Sequence, residues 1–366
     1  MESFFEVIKA GLWEKEVQVS SCAQLDIDEI YRLASEQSVI GLVAAGLEHV
    51  TNMKTPKTMA LTIAKDVFKL EKRNRAMNMF VARLVADMRT EGIYALLVKG
   101  QGIAQCYERP EWRACGDVDL FLSEDNYVKA KEVLVPLASS VEEEYVREKH
   151  LGMTIDGWLV ELHGHLYSGL SSRVEKELDD MSVDTFSGEN VRSWDNNGVK
   201  VFQLGIENDV FYVFTHILQH FYKEGVGIRQ ICDWCRLMWT YRDKMDVQKL
   251  ESRIKRAGIM SEWKAFAAYS AECLGMPVEA IPMYDASAKW VRKAELINRF
   301  ILKVGNMGHN RNLSHFSKRP YLARKCVSMG RRVGDFINHA RIFPLDSLRF
   351  FPNIMLNGIR SAMRGE

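Results

Sequence analysis

The chain reads as an α+β protein in which a mixed β-sheet is flanked by N- and C-terminal helical regions. Three observations predict this. Helical periodicity fills residues 1–90, breaks at Ile93 into short apolar and alternating runs, and returns from 206 onward. At 366 residues, two or three folding units are expected. The boundaries are an N-terminal helical region at 1–90, a core at 91–205, and a C-terminal helical region with a basic tail at 206–366.

The elements follow in order. Asp26 or Asp28 is placed to cap a helix running through IYRLASEQSVIGLVAAGLEHV. A longer helix begins after Pro56; Leu61, Ile63, Ala64, Val67, Phe68 and Leu70 recur at helical spacing, and Gly92 stands where a helix would stop. IYALLVKG is a short apolar run closed by glycine, which predicts a buried strand, and QGIAQCYE suits a short helix. DVDLFL alternates as a strand should, and EDNYVKAKEVLVPL returns to helix. Between about 141 and 203 the strand-like pieces are VEEEYVRE, HLGMTID, WLVELHGHL and VKVFQL, with turns at Asp156-Gly157 and Asn197-Gly198. Helical segments then begin at ENDVFYVFTHILQHFYKEG, RQICDWCRLMWTYRDK, VQKLESRIKRAG and SEWKAFAAYSAECLG.

Composition narrows the function classes. Hydrophobic residues make up 47% and charged residues 27%, enough for a core without disulfide or metal staples. Lys plus Arg number 49 against 48 Asp plus Glu, so the chain has no general nucleic-acid-coating charge. The seven cysteines are scattered and odd in number, as expected of reduced thiols, and Cys232-x-x-Cys235 falls inside a helical pattern where packing is its expected role. The N-terminus lacks a signal peptide's layout, and no apolar run approaches the roughly 18 residues of a membrane span. A soluble, cytoplasmic protein is expected.

The chemistry concentrates in KGQGIAQCYERPEWRACGDVDLFL, residues 99–122. Asp117 and Asp119 are two apart on a strand and share one face, where two like charges are tolerated if a cation neutralises them. Oxygen ligands at this spacing suit Mg²⁺. Upstream, a strand ending at Gly100 opens into a helix, a turn that offers backbone N–H groups to phosphate. Glu161 sits among Leu159, Val160 and Leu162; if its strand pairs beside DVDLFL, a three-carboxylate, two-metal site results. An isolated Asp-x-Asp is commonly only a solvated pair. The turn, Arg113 and the third acidic strand, in that order, argue against that reading here.

The Gly turn, the Asp-x-Asp strand and the later acidic strand resemble the polymerase-beta-like nucleotidyltransferases. VKGQGIAQCYERPEWRACGDVDLFL followed by VELHGHL is similar to the bacterial branch of uncharacterised nucleotidyltransferase-family proteins, over roughly 90–240. The resemblance implies a metal-dependent nucleotidyltransferase that moves a nucleoside monophosphate from an NTP to a hydroxyl of a small molecule or protein and releases pyrophosphate. Asp117, Asp119 and Glu161 would be the catalytic and metal residues for Mg²⁺ or Mn²⁺, two ions. Lys99, Gly100, Gln101 and Arg113 would meet the nucleotide, although Gln101 stands where the family has serine. The alternative is a catalytically inactive nucleotide- or partner-binding protein on the same fold.

Several residues are accessory candidates. His163 and His165 alternate with Glu161; His216 and His220, like Arg229 and Asp233, are paired at i, i+4 on helices. They read first as a polar cluster where helices meet sheet, then as a nucleotide or acceptor contact, then as zinc ligands. The tail at 318–366 carries ten Lys or Arg against three acids, and with Phe343, Phe350 and Phe351 it could meet an anionic partner, although solvated helix faces account for it equally.

Overall fold

The computed structural model describes residues 2–19, 26–52, 54–306 and 334–363, the last seven of these by backbone only. The basic residues at 318–333 and 364 lie outside the described residues. Helices α1 (Glu2–Trp13), α2 (Ile27–Glu36), α3 (Ile40–Glu48) and α4 (Lys57–Thr90) precede the sheet. Then come β1 (Ala95–Val98), α5 (Gly100–Ala104), β2 (Asp117–Leu122), α6 (Glu124–Leu134), β3 (Ser140–Val141), β4 (His150–Ile155), β5 (Trp158–His163), α7 (Ser172–Phe186), β6 (Val191–Asn196) and β7 (Val199–Leu204). Helices α8 (Ile206–Lys223), α9 (Ile228–Tyr241), α10 (Val247–Ala257), α11 (Met260–Glu272), α12 (Ala288–Val304), α13 (334–342) and α14 (Pro344–Met363) follow.

The seven strands form one mixed sheet in the order β3-β4-β5-β2-β1-β7-β6. β2 runs parallel to β5 and antiparallel to β1, while β1 runs parallel to β7. Strand alternation divides the sheet's side chains between two cores. Leu97, Val118, Leu120, Leu122, Val160, Leu162, Leu151 and Met153 point to one face, packed by α4 and α6. Leu96, Val98, Phe121 and Leu204 join the other core, which the α1–α3 helices share with α7–α14. Asp117, Asp119 and Glu161 occupy the strand positions between the first set and so belong to this second face.

The N-terminal region departs from the expected single helix over 30–50. Asp26 does cap α2, accepting from the Glu29 N–H at 3.0 Å, but the chain turns at Gln37–Ser38, where Ser38 has φ 56°. The turn lets α3 cross α1 at backbone contact. A Cβ on Gly11 would stand 2.0 Å from the Leu42 carbonyl oxygen, and one on Gly46 would stand 1.9 Å from that of Val7. In α4, Ile63 and Val67 are buried as expected, whereas Leu61 and Phe68 are 72% and 68% exposed. Of the strand expected over 141–148 only Val141 is paired as strand, and the region expected to be strands alone contains α7 and the additional strand β6.

No helix among the described residues is long and apolar enough to cross a membrane. Cys232 and Cys235 are buried within α9. Phe343 and Phe350, grouped above with the basic tail as a possible contact surface, are instead fully buried in the core, where Phe350 packs on Tyr222.

Candidate active site

The site is a row of polar side chains crossing four neighbouring strands. Register places Asp119 opposite Glu161 and Val98 opposite Asp119, so the end of β1, the start of β2 and the middle of β5 converge. Lys99, the residue after β1, has φ 57°, a backbone state that costs a non-glycine residue energy and persists only where surroundings enforce it. Its Nζ lies 2.8 Å from Asp119 Oδ1 and 5.9 Å from the centre of the Tyr212 ring on α8. His163 Nε2 meets the same Asp119 oxygen at 2.9 Å. On β4, His150 stands opposite His163, and its Nε2 is 3.3 Å from Glu161 Oε2.

Gly100 shapes the turn beneath this row. Its φ is +46°, a backbone state strained for any side chain, and a Cβ there would also crowd Cys115 Sγ at 3.2 Å, so glycine suits the turn against the strand entry.

The charges are unevenly balanced. Burial, then the neighbouring Asp119 carboxylate, raises the pKa of Asp117, with Glu161 adding to the shift against the pull of Lys99. Burial also opposes ionisation of Glu161, but hydrogen bonds from His150 and His163 overcome it and hold that carboxyl far below its usual range. Burial would depress Lys99 and His163; for both, Asp119 reverses the sign and the charged form is favoured. His216 differs: burial, then Lys99, His220 and His163, drive its pKa well below normal, so it is neutral on the side of α8 facing the cluster.

Several expected site residues are placed elsewhere. The Gln101 side chain is buried and donates to Asn74 Oδ1 at 2.9 Å, pointing into α4 rather than toward the carboxylates. The buried Arg113 makes a two-pronged ion pair with Asp233, at 3.0 and 2.6 Å, which commits its guanidinium to α9 instead of an open phosphate site. Arg229 donates to the Ala114 carbonyl at 2.6 Å. His220 meets His216 at 3.1 Å. His165 lies past the end of β5 and pairs with Asp179 at 2.6 Å, so it does not continue the face of Glu161 and His163.

Arg113, Asp233 and Arg229 therefore work on the backbone that delivers the aspartates. Asn74 in α4 donates to the carbonyls of Glu111 and Arg113 at 2.7 and 2.8 Å, so the loop ahead of β2 is clamped between α4 and α9. His150 and Tyr212 are two site residues the sequence reading missed. The Asp156-Gly157 turn carried the signal for His150. With φ of 50° and 79° these residues close a two-residue hairpin, which sets Ile155 opposite Trp158 and hence His150 opposite His163.

A mixed sheet with acidic residues from two strands on one face, covered by helices, defines a nucleotidyltransferase-like fold. Residues 23–275 match the model of a family described as uncharacterised nucleotidyltransferase, and the chain belongs to that family. No curated protein matches it. Among solved structures it is similar to an antigenic nucleotidyltransferase-like protein from Paracoccidioides brasiliensis, at 12% identity and a TM-score of 0.31, covering 55% of this chain and 93% of that one. A likeness this slight assigns no residue.

Proposed function

We propose that the protein is a metal-dependent nucleotidyltransferase of the polymerase-beta-like kind, moving a nucleoside monophosphate from an NTP to a hydroxyl of a small molecule or protein. The observation that carries the reading is the register of β2 with β5, which puts Asp119 directly beside Glu161 with Asp117 on the same face. The donor set fits a divalent cation. Asp117, Asp119 and Glu161 lie on one face, and the crowding that raises Asp117 is what a hard cation would relieve. Among the described residues, the side chains whose ligand atoms already stand within 4.8 Å of one another are His150, Glu161 and His163, so an ion on the three carboxylates would have to draw them closer. Asp117, Asp119 and Glu161 would hold Mg²⁺ or Mn²⁺, two ions, which when bound stabilise the attacking and departing oxygens of an in-line displacement.

The chain's own residues supply the rest. Lys99 sets a fixed positive charge at the mouth of the Gly100 turn, where it balances Asp119 and the phosphates together. His163 orients Asp119 through its hydrogen bond. The acceptor oxygen forms a bond to the α-phosphorus, the bond to the β-phosphate oxygen breaks, and pyrophosphate leaves. The hydroxyl proton is lost to solvent water, because His216, whose pKa burial drives well below normal, is too weak a base to be given that role.

One observation favours the alternative of a catalytically inactive nucleotide- or partner-binding protein. Of the residues expected at the phosphates, the Gln101 and Arg113 side chains are engaged by Asn74 and Asp233. A single experiment separates the two readings: each NTP is offered with Mg²⁺ or Mn²⁺, following thermal stability and pyrophosphate together. The transferase reading expects a rise in Tm with metal–NTP and pyrophosphate release that Asp117→Asn abolishes. A rise in Tm without pyrophosphate from any acceptor supports the alternative, and release unaffected by Asp117→Asn sinks the assignment of the site.

A further inference from the structure

The outer end of the polar row has a donor set unlike that of the aspartates. His150 and His163 face one another across the β4–β5 pair, and both Nε2 atoms converge on Glu161 Oε2, at 3.3 and 3.6 Å. The three ligand atoms all lie within 4.8 Å of one another. For metal–ligand bonds of about 2.1 Å, adjacent corners of a tetrahedron stand roughly 3.4 Å apart. The two measured edges already have that length. The side chains keep 24%, 12% and 23% exposure for His150, His163 and Glu161, so an ion and a further ligand can reach them from solvent.

We propose that His150, His163 and Glu161 form a binding site for a borderline divalent cation of the zinc class, with three protein ligands and an open fourth position. Two imidazole nitrogens and one carboxylate oxygen suit zinc, whereas Mg²⁺ is served by oxygen alone. Loading the site requires His163 Nε2 to give up its hydrogen bond to Asp119. Asp119 is not stranded by the exchange, because Lys99 holds the same oxygen at 2.8 Å. The hairpin register supplies the second imidazole from a strand that contributes nothing to the aspartate pair, which distinguishes this site from the carboxylates alone. The site shares Glu161 with the proposed transfer centre but does not depend on the transfer reaction.

The test is metal binding by the full chain after chelation and desalting, with calorimetry for Zn²⁺ and Mg²⁺ and visible absorption for Co²⁺ as a spectroscopic stand-in. The expected result is one zinc ion per chain and a Co²⁺ spectrum of four-coordinate character. His150→Gln should weaken zinc by more than the roughly 10–100-fold that loss of an outer-shell partner costs, and His163→Gln should do the same; circular dichroism checks that each variant is folded. If either variant fails to fold, the other and the wild-type Co²⁺ spectrum decide. No zinc on the folded wild-type chain, or undiminished zinc on the folded histidine variants, overturns the proposal. Pyrophosphate release with Mg²⁺ is measured separately, so either reading can fail while the other stands.

Discussion

Two clusters of buried charge lie on either side of the loop that enters β2, and they are built on opposite terms. In one, Asp233 is gripped by both prongs of Arg113 and by the Tyr107 hydroxyl at 2.8 Å, all three residues being buried. In the other, three carboxylates share a face, and Lys99 and His163 both settle on a single oxygen of Asp119. Burial and the neighbouring negative charges act on Asp117 with only partial compensation. In the first cluster the carboxylate is answered in full by the chain itself, although Arg113 Nη1 is left buried without a hydrogen-bond partner. In the second, three carboxylates face only Lys99 and His163, and a fold keeps such an excess where an outside cation or substrate completes it.

Substitution should separate the clusters sharply. Asp117→Asn is expected to lower turnover by at least about 10³-fold, on the order of 4 kcal/mol of transition-state stabilisation, when pyrophosphate release is assayed with Mg²⁺. The same change should raise Tm in metal-free buffer at neutral pH. An acid whose folded pKa is raised loses folded-state stability as pH climbs through that range, and asparagine carries no such charge. Lost turnover with gained stability would mark a residue kept for function; a lower Tm would make Asp117 a structural group. At the other cluster, Asp233→Ala should cost about 3–5 kcal/mol in urea unfolding, because it strands a buried guanidinium. Replacing both partners together, Arg113→Met with Asp233→Leu, should recover most of that loss. A double variant as unstable as the single would show that the pair does more than neutralise itself.

The contrast also shows how far the sequence could be read. The common face of Asp117, Asp119 and Glu161 was legible because strand period assigns a face and pattern assigns neighbours. The first residues of α4 and the Asp26 cap were legible for the same local reason. α7 was missed although Val174, Leu178, Met181 and Thr185 recur at helical spacing behind a Ser171 cap; the surrounding strands set a misleading expectation. Arg113 defeated the reading for a different reason. Its partner is 120 residues away on α9, and composition cannot tell an arginine aimed at phosphate from one aimed at a buried aspartate. Gln101 is similar: its partner, Asn74, lies 27 residues upstream on α4, a pairing that depends on tertiary packing.

Glu262 on α11 shows a third way to keep a buried acid. It is fully buried, receives the Tyr222 hydroxyl at 3.1 Å, and among the described residues has no counterpart to Arg113 on its carboxylate. Burial, then the nearby Asp346, pushes its pKa to about 8, so the proton itself is its partner at neutral pH. The sign follows directly: between the ordinary 4.5 and about 8 the folded state holds a proton that the unfolded chain has released, so stability falls as pH rises through that window and levels beyond it. Glu262→Gln should remove this slope from a series of urea titrations while leaving the midpoint at acid pH nearly unchanged. A slope that survives the substitution would place the titration on another group.

The smallest effect belongs to charges that burial never touches. Arg83 and Asp156 form an ion pair at the β4–β5 turn with both side chains more than half exposed. Solvent and salt screen such a pair, so breaking it with Arg83→Gln should shift stability by less than about 0.5 kcal/mol and leave turnover unchanged. The position nevertheless tests the comparison, because Asp156 also belongs to the two-residue turn that sets His150 opposite His163. Arg83→Gln removes the charge partner and keeps the turn. Gly157→Val keeps the charge and forces a β-branched residue into φ +79°, a strained state. If burial and register rather than surface charge hold the polar row together, only the second change should lower Tm and disturb the histidine resonances in an NMR spectrum. Equal effects from both would mean that the exposed pair carries part of the register, against the division between complete and incomplete clusters drawn here.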